Sequence, residues 1–239
     1  MKEYRNARGD LHRTDGPAVI YADGSREWYY NGKRHRIDGP AFIYVDGSQE
    51  WYLNGKRHRT GGPAFIRADG GEEWYQHDKW HRLDGPAVTD TDGYKAWYQN
   101  GVKHREGAPA VIEPCGSQYW WFNGMQHRAD GPASISSKGF RAWWVNGKRH
   151  RTDGPAVIHE AGHQEWWQDH QLHRTDGPAR IWADGDQSWF VNGKRHRTDG
   201  PAIIHADGRQ EWYINGHQVD QLTIMLLTHA NQQQQLVME

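Results

Sequence analysis

Asn31-Gly32-Lys33-Arg34-His35-Arg36-Ile37-Asp38-Gly39-Pro40-Ala41 returns, whole or in part, along most of the chain. His12, His35, His58, His81, His104, His127, His150, His173 and His196 stand 23 residues apart, and each is followed by Arg. A fixed period of this size marks a repeat architecture, in which each unit buries its apolar face against its neighbours.

Outward from the His-Arg pair, the unit reads His-Arg-x-Asp-Gly-Pro-Ala-x-Ile-x-x-Asp-Gly-x-x-x-Trp-aromatic-x-Asn-Gly-Lys-Arg. Two short runs stand between turn signals: Ala18-Val19-Ile20-Tyr21 before Asp23-Gly24, and Glu27-Trp28-Tyr29-Tyr30 before Asn31-Gly32. Asp-Gly and Asn-Gly between β-branched or aromatic runs predict hairpins with type I′ turns, which need positive φ at both central residues. Gly16-Pro17 punctuates the return, since proline has no N–H to give a ladder. No unit has room for a helix. Lys33-Arg34-His35-Arg36 forms a third short segment, expected to lie over one face of the sheet.

The expected fold is all-β: an elongated, twisted antiparallel meander of nine hairpin repeats over residues 12–218. A degenerate cap at 1–11 precedes it, with Arg8-Gly9 in the place of Asn-Gly and Arg5 in the place of the first Trp. A C-terminal segment at 219–239 follows. There Val219 replaces the tenth His, and Leu222, Met225, Leu226 and Ala230 suit an amphipathic helix capped by Asp220, with Gln232 to Gln235 as a polar tail. The alternative is a β-solenoid with one coil per repeat, which stacks equivalent residues at about 4.8 Å where a hairpin repeat advances by roughly 9.5 Å. The solenoid also places nine arginines in one ladder at strand spacing, where like charges oppose one another.

Composition narrows function. Lys and Arg number 29 against 30 Asp and Glu, so the chain lacks the basic excess of a typical nucleic-acid binder. Burial falls to the 14 Trp. A single cysteine, Cys115, allows no internal disulfide. No run approaches ~18 apolar residues, which predicts a cytoplasmic protein without membrane insertion.

Tyr29-Tyr30-Asn31-Gly32-Lys33-Arg34-His35, followed by Asp46-Gly47, resembles the MORN repeat and its bacterial antitoxin-like variants. The resemblance covers residues 12–218, with Arg36 standing where that family has glycine and with Asp-Gly-Pro-Ala inserted. It implies an antiparallel meander and a scaffold, lipid-associated or immunity-type role. The lipid role is not carried over, because of Arg36.

His35-Arg36-x-Asp38 superficially matches a kinase catalytic triplet, but the glycine-rich loop, the Lys–Glu pair and Asp-Phe-Gly are missing. Asp38 is expected to fix a turn and pair with an Arg, so no catalytic residue is assigned. Equivalent histidines are too far apart to share zinc, and His159-x-x-x-His163 spans a turn; no metal and no cofactor is expected.

Two binding readings remain. In the first, a protein partner, with inhibition or immunity as one version, reads the residues that differ between repeats: Trp80, Trp182, Tyr21, Tyr44, Arg67, His159 and His205. In the second, Arg13, Arg36, Arg59, Arg82, Arg105, Arg128, Arg151, Arg174 and Arg197 form with the Trp column a rail for a glycan or single-stranded nucleic acid. Open strand edges also permit self-association edge to edge.

Overall fold

A computed structural model describes residues 1–226; Ala230 of the expected helix and the Gln232–Gln235 tail lie outside the described residues. Contacts divide the chain into Met1–Met125 and a second unit from Gln126 onward, each built on the same local plan.

In the first unit an antiparallel ladder runs in chain order through Lys2–Glu3, Val19–Ile20, Arg26–Glu27, Phe42–Ile43 and Gln49–Glu50, and on to Gln118–Tyr119. In the second it runs from Ser134–Ile135 through Val157–Ile158 and Arg180–Ile181 to Gln210–Ile214. Glu27 pairs with Val19 of its own repeat and with Phe42 of the next. Equivalent residues are therefore two strands apart, which is a hairpin meander and not a solenoid.

The two turns differ in kind. At Asn31-Gly32 both φ values are positive, 48° and 73°, as a type I′ turn requires. At Asp23-Gly24 only Gly24 is left-handed, at 97°. The Gly24 N–H bonds to Tyr21 O and the Tyr21 N–H to Ser25 O, while Asp23 Oδ1 accepts from the Ser25 N–H at 2.9 Å. This is the three-residue loop of a type I turn closed by a left-handed glycine, in place of the expected type I′.

The segment after Asn31-Gly32 is not independent. Lys33–Arg34 returns against Tyr29–Tyr30 as a second hairpin, outside the ladder. Trp28 is where the chain changes layers. Its N–H bonds to Ala41 O of the next repeat, and its C=O accepts from its own His35 N–H. The second hairpins then cover one face of the ladder: the Arg34 guanidinium lies 5.1 Å from the Phe42 ring and 5.4 Å from that of Tyr52. Between the layers, Trp51, Ala64 and Tyr75 pack with Phe65, Ile66 and Trp80. The alanine column explains itself: all nine, from Ala18 to Ala202, are fully buried where ladder and Trp backbone meet.

At the N-terminus the missing tryptophan is replaced by Tyr4, one position before Arg5, and Arg13 stacks on its ring at 4.0 Å. At the other end a helical turn spans 221–226. Asp220 caps it, accepting from the Thr223 N–H at 2.8 Å. The buried side chain of this turn is Ile224, whereas Leu222, Met225 and Leu226 are exposed. Among the described residues the buried face of the turn is thus centred on Ile224 and not on the expected Leu222, Met225 and Leu226. No described helix is long and apolar enough to cross a membrane.

Candidate functional site

The invariant histidine is a fastener between repeats. His35 Nδ1 accepts a hydrogen bond from the backbone N–H of Asn54, the first residue of the next type I′ turn. Eight of the nine histidines do this, at 3.1–3.2 Å. Backbone bonds flank each one, with Arg36 N–H to Tyr52 O on one side and Gly55 N–H to Arg34 O on the other. The imidazole thus completes an edge that two twisted hairpins do not close by themselves.

His58 is the exception. His77 replaces the asparagine ahead of it, the two rings lie 4.3 Å apart, and the buried His58 Nδ1 has no partner. Burial first, then the His77 imidazole, hold His58 below its ordinary pKa. At this junction Asp78 takes the glycine position with φ 67°, and its carboxylate accepts from Arg57 N–H at 2.7 Å. Asp169-His170 makes the same exchange, with His170 Nδ1 reaching Arg149 N–H at 3.4 Å. A non-glycine residue tolerates the left-handed region here because its side chain adds a bond to the preceding repeat.

The arginine column is held on three sides. Arg36 stacks on Trp28 at 4.3 Å, donates from Nε to Asp38 at 2.9 Å and from Nη1 to Pro40 O at 3.3 Å. All nine arginines keep the proline carbonyl. Arg59 and Arg105, whose aspartate is replaced by Gly61 and Gly107, also keep their tryptophan, at 3.9 and 3.8 Å. A Cβ on Gly39 would come within 3.0 Å of the Arg36 guanidinium carbon, so glycine leaves the arginine its place. The bond from Arg36, and then its charge, pull the Asp38 carboxyl below its usual range.

Between successive Arg-x-Asp-Gly loops lie clefts that recur along each unit. One of about 780 Å³ is lined by Arg13, Asp15, Trp28, His35, Arg36 and Asp38. Another of about 760 Å³ is lined by the equivalent Arg174, Asp176, Trp189, His196, Arg197 and Asp199. In seven of the nine repeats the guanidinium meets its own aspartate, so most clefts are walled by neutralised pairs with the carboxylate outermost.

The columns that vary serve a buried carboxylate that sequence reasoning passed over. Glu27 and Glu50 are almost wholly buried. Glu27 accepts from Tyr21 Oη at 3.2 Å and Arg34 Nη2 at 2.8 Å; Glu50 accepts from Tyr44 Oη at 3.0 Å and Arg57 Nη2 at 2.8 Å. Arg67 joins Glu73 to Asp90 of the next repeat. His205 bridges Glu211 and Asp186, which raise its pKa. Where alanine replaces the glutamate, at Ala96 and Ala142, the position six residues before carries Asp90 or Ser136 instead. The two columns change together because they face each other across one hairpin.

Trp80 is half-buried, donating from Nε1 to Glu73 at 3.0 Å beside the Tyr98 ring, and it lines a cleft of about 630 Å³ with Tyr52, Tyr75 and Val102. Trp182 is exposed, against His163. Two residues not singled out from the sequence stand out further. Ile37 is 87% exposed and Leu83 74% exposed, at loop positions where threonine stands in most other repeats. An apolar side chain in a threonine column was the signal available for both.

His159, His163 and Glu165 gather in the seventh repeat, with ligand-capable atoms within 4.8 Å of one another. The Glu160-Ala161-Gly162 loop between them brings the two histidines, four residues apart, face to face, and the rings stack at 4.2 Å. Comparison of the chain with protein-family models gave no match, and comparison with curated proteins gave none either.

Proposed function

We propose that this chain is a non-enzymatic binding scaffold whose protein partner reads the residues in which the repeats differ. The observation that carries this reading is the contrast between columns. The invariant His, Arg, Trp and Ala side chains are engaged within and between repeats, while apolar Ile37 and Leu83 project from loops where threonine would serve the fold equally well. Such side chains gain by burial against a partner, roughly 25 cal/mol for each Å² covered. Trp182, exposed and of the residue type that dominates binding energetics, adds a candidate anchor in the second unit. The MORN-like spacing from Tyr29 to Asp46-Gly47 supports a scaffold as well, with inhibition or immunity as one form of it. The test is affinity capture by the intact chain against Ile37→Thr/Leu83→Thr and Trp182→Tyr variants, with the captured protein identified by mass spectrometry. The reading requires a partner held by the parent chain and lost from a folded variant.

A second reading, binding of a repetitive polymer, is favoured by the recurrence of the Arg–Trp–Asp clefts. Their outward carboxylates, 76–83% exposed, point to a neutral glycan over a nucleic acid. Glycan-array binding lost on replacing several column aspartates would favour it.

A further inference from the structure

We propose that His159, His163 and Glu165 form a site for one divalent transition-metal ion of the zinc, nickel or copper kind. The residues come from three columns that coincide in a single repeat. In the first repeat the same positions hold Tyr21, Ser25 and Glu27, and in the sixth Ser136, Phe140 and Ala142. Two imidazoles and one carboxylate occur together only in the seventh.

The hairpin supplies the geometry. His159 and His163 close the Glu160-Ala161-Gly162 loop, with the His159 N–H bonded to His163 O at 2.8 Å. Glu165 lies two residues beyond His163 and so projects on the same face of the strand. His163 Nε2 stands 3.5 Å from Glu165 Oε1, close to the edge of a tetrahedron whose metal–ligand bonds are about 2.0–2.1 Å. That nitrogen is buried and has no hydrogen-bond donor or acceptor in range and alignment. Glu165 is itself 6% exposed, and Trp167 Nε1 donates to its other oxygen at 2.8 Å, leaving Oε1 facing the histidines. An outer bond of this kind orients a ligating carboxylate.

Aromatic rings enclose the pair. Phe140 meets His159 edge-on at 5.3 Å, and Trp182 covers His163 at 4.0 Å. Imidazole with carboxylate suits zinc, nickel and copper better than calcium or magnesium, which prefer oxygen alone. Opposing the ion are two guanidiniums: Arg180 Nε at 2.9 Å from Glu165 Oε1, and Arg149 Nη1 at 3.9 Å from Oε2. Arg180 sits in a column that is otherwise Val, Phe, Ile or Ser, so its removal restores the common residue type.

The chelator-treated full chain is titrated with Zn²⁺ by calorimetry, and the Cu²⁺ form is examined by electron paramagnetic resonance for nitrogen coordination. One ion per chain is expected in the tightest step. His163→Ser and His159→Tyr install residues that the first repeat already carries, so the fold is expected to persist by near-ultraviolet circular dichroism. Each should weaken the tightest step at least about 10-fold, the loss typical even of outer-shell partners. Arg180→Val should strengthen it several-fold, and His205→Asn should leave it unchanged. No one-to-one step, an unchanged step in folded His163→Ser and His159→Tyr, or no gain from Arg180→Val would each overturn the site.

Discussion

The imidazole Nδ1 of His35 and the backbone N–H of Asn54, 19 residues further on, form a 3.1 Å hydrogen bond that ties one repeat to the next. Replacement of His35 by Ala should cost about 1 kcal/mol, the usual net worth of such a bond. His58→Ala should cost less, because His58 Nδ1 receives no such donor. Urea denaturation of the two variants side by side checks the order; equal losses would mean that the imidazoles act by packing alone.

His58, which lacks that bond, carries a pH signature, with a pKa held below its ordinary value by burial and then by the His77 imidazole. Its contribution is present above the unfolded value of about 6.5 and declines as pH falls toward the folded value. Thermal stability should therefore fall from pH 7 toward pH 5, before the carboxylates titrate. A flat profile across that interval would refute the assignment.

Glu27 should be intolerant of alanine. Its loss strands the Arg34 guanidinium and the Tyr21 hydroxyl against a closed layer. The expected cost is about 2–3 kcal/mol, below that of a fully buried pair because the Arg34 side chain is 33% exposed. Ala96→Glu, which adds a carboxylate beside Asp90 without an arginine at Lys103, should destabilise as well. Chemical denaturation of both variants checks the pairing of columns.

Arg36→Lys keeps the charge and loses the planar stack on Trp28 and the fork between Asp38 and Pro40 O. A loss of about 1 kcal/mol is expected. Arg105 has no partner aspartate, so Arg105→Lys should cost less. The comparison is made by thermal melting with tryptophan fluorescence, and a larger loss at Arg105 would count against the aspartate's role.

On the alkaline side, burial first and then Glu27 push Tyr29 up to about 12. A phenol raised in the folded state contributes stability that is complete below the unfolded value of about 10 and is lost as pH rises through 12. Spectrophotometric titration should show a late tyrosine class that ionises only with unfolding. A single transition near pH 10 would exclude it.

Much of this architecture was legible because it is written nine times. The 23-residue period, the two turn signals and the Arg-x-Asp pairing each read from local chemistry, and the structure holds them. The second hairpin was harder to see. Lys33-Arg34 carries no apolar alternation, and only its pairing with Tyr29–Tyr30 makes it a strand. The Glu27 clusters and the His159–His163–Glu165 group depend on residues that meet across a hairpin, six or seven positions apart, or between repeats. Those meetings follow from register, which short strands leave open until every backbone bond is placed.

The fastening histidine also has a direction in time. Every imidazole of the column except that of His58 accepts from a residue that the ribosome adds 19 residues later, so a growing chain nearly always ends in a repeat whose fastener waits for its successor. Val219 stands where a tenth histidine would wait. It pairs with Trp212 of its own hairpin. Synthesis thus proceeds as a series of deferred closures, and the valine is the point at which deferral stops.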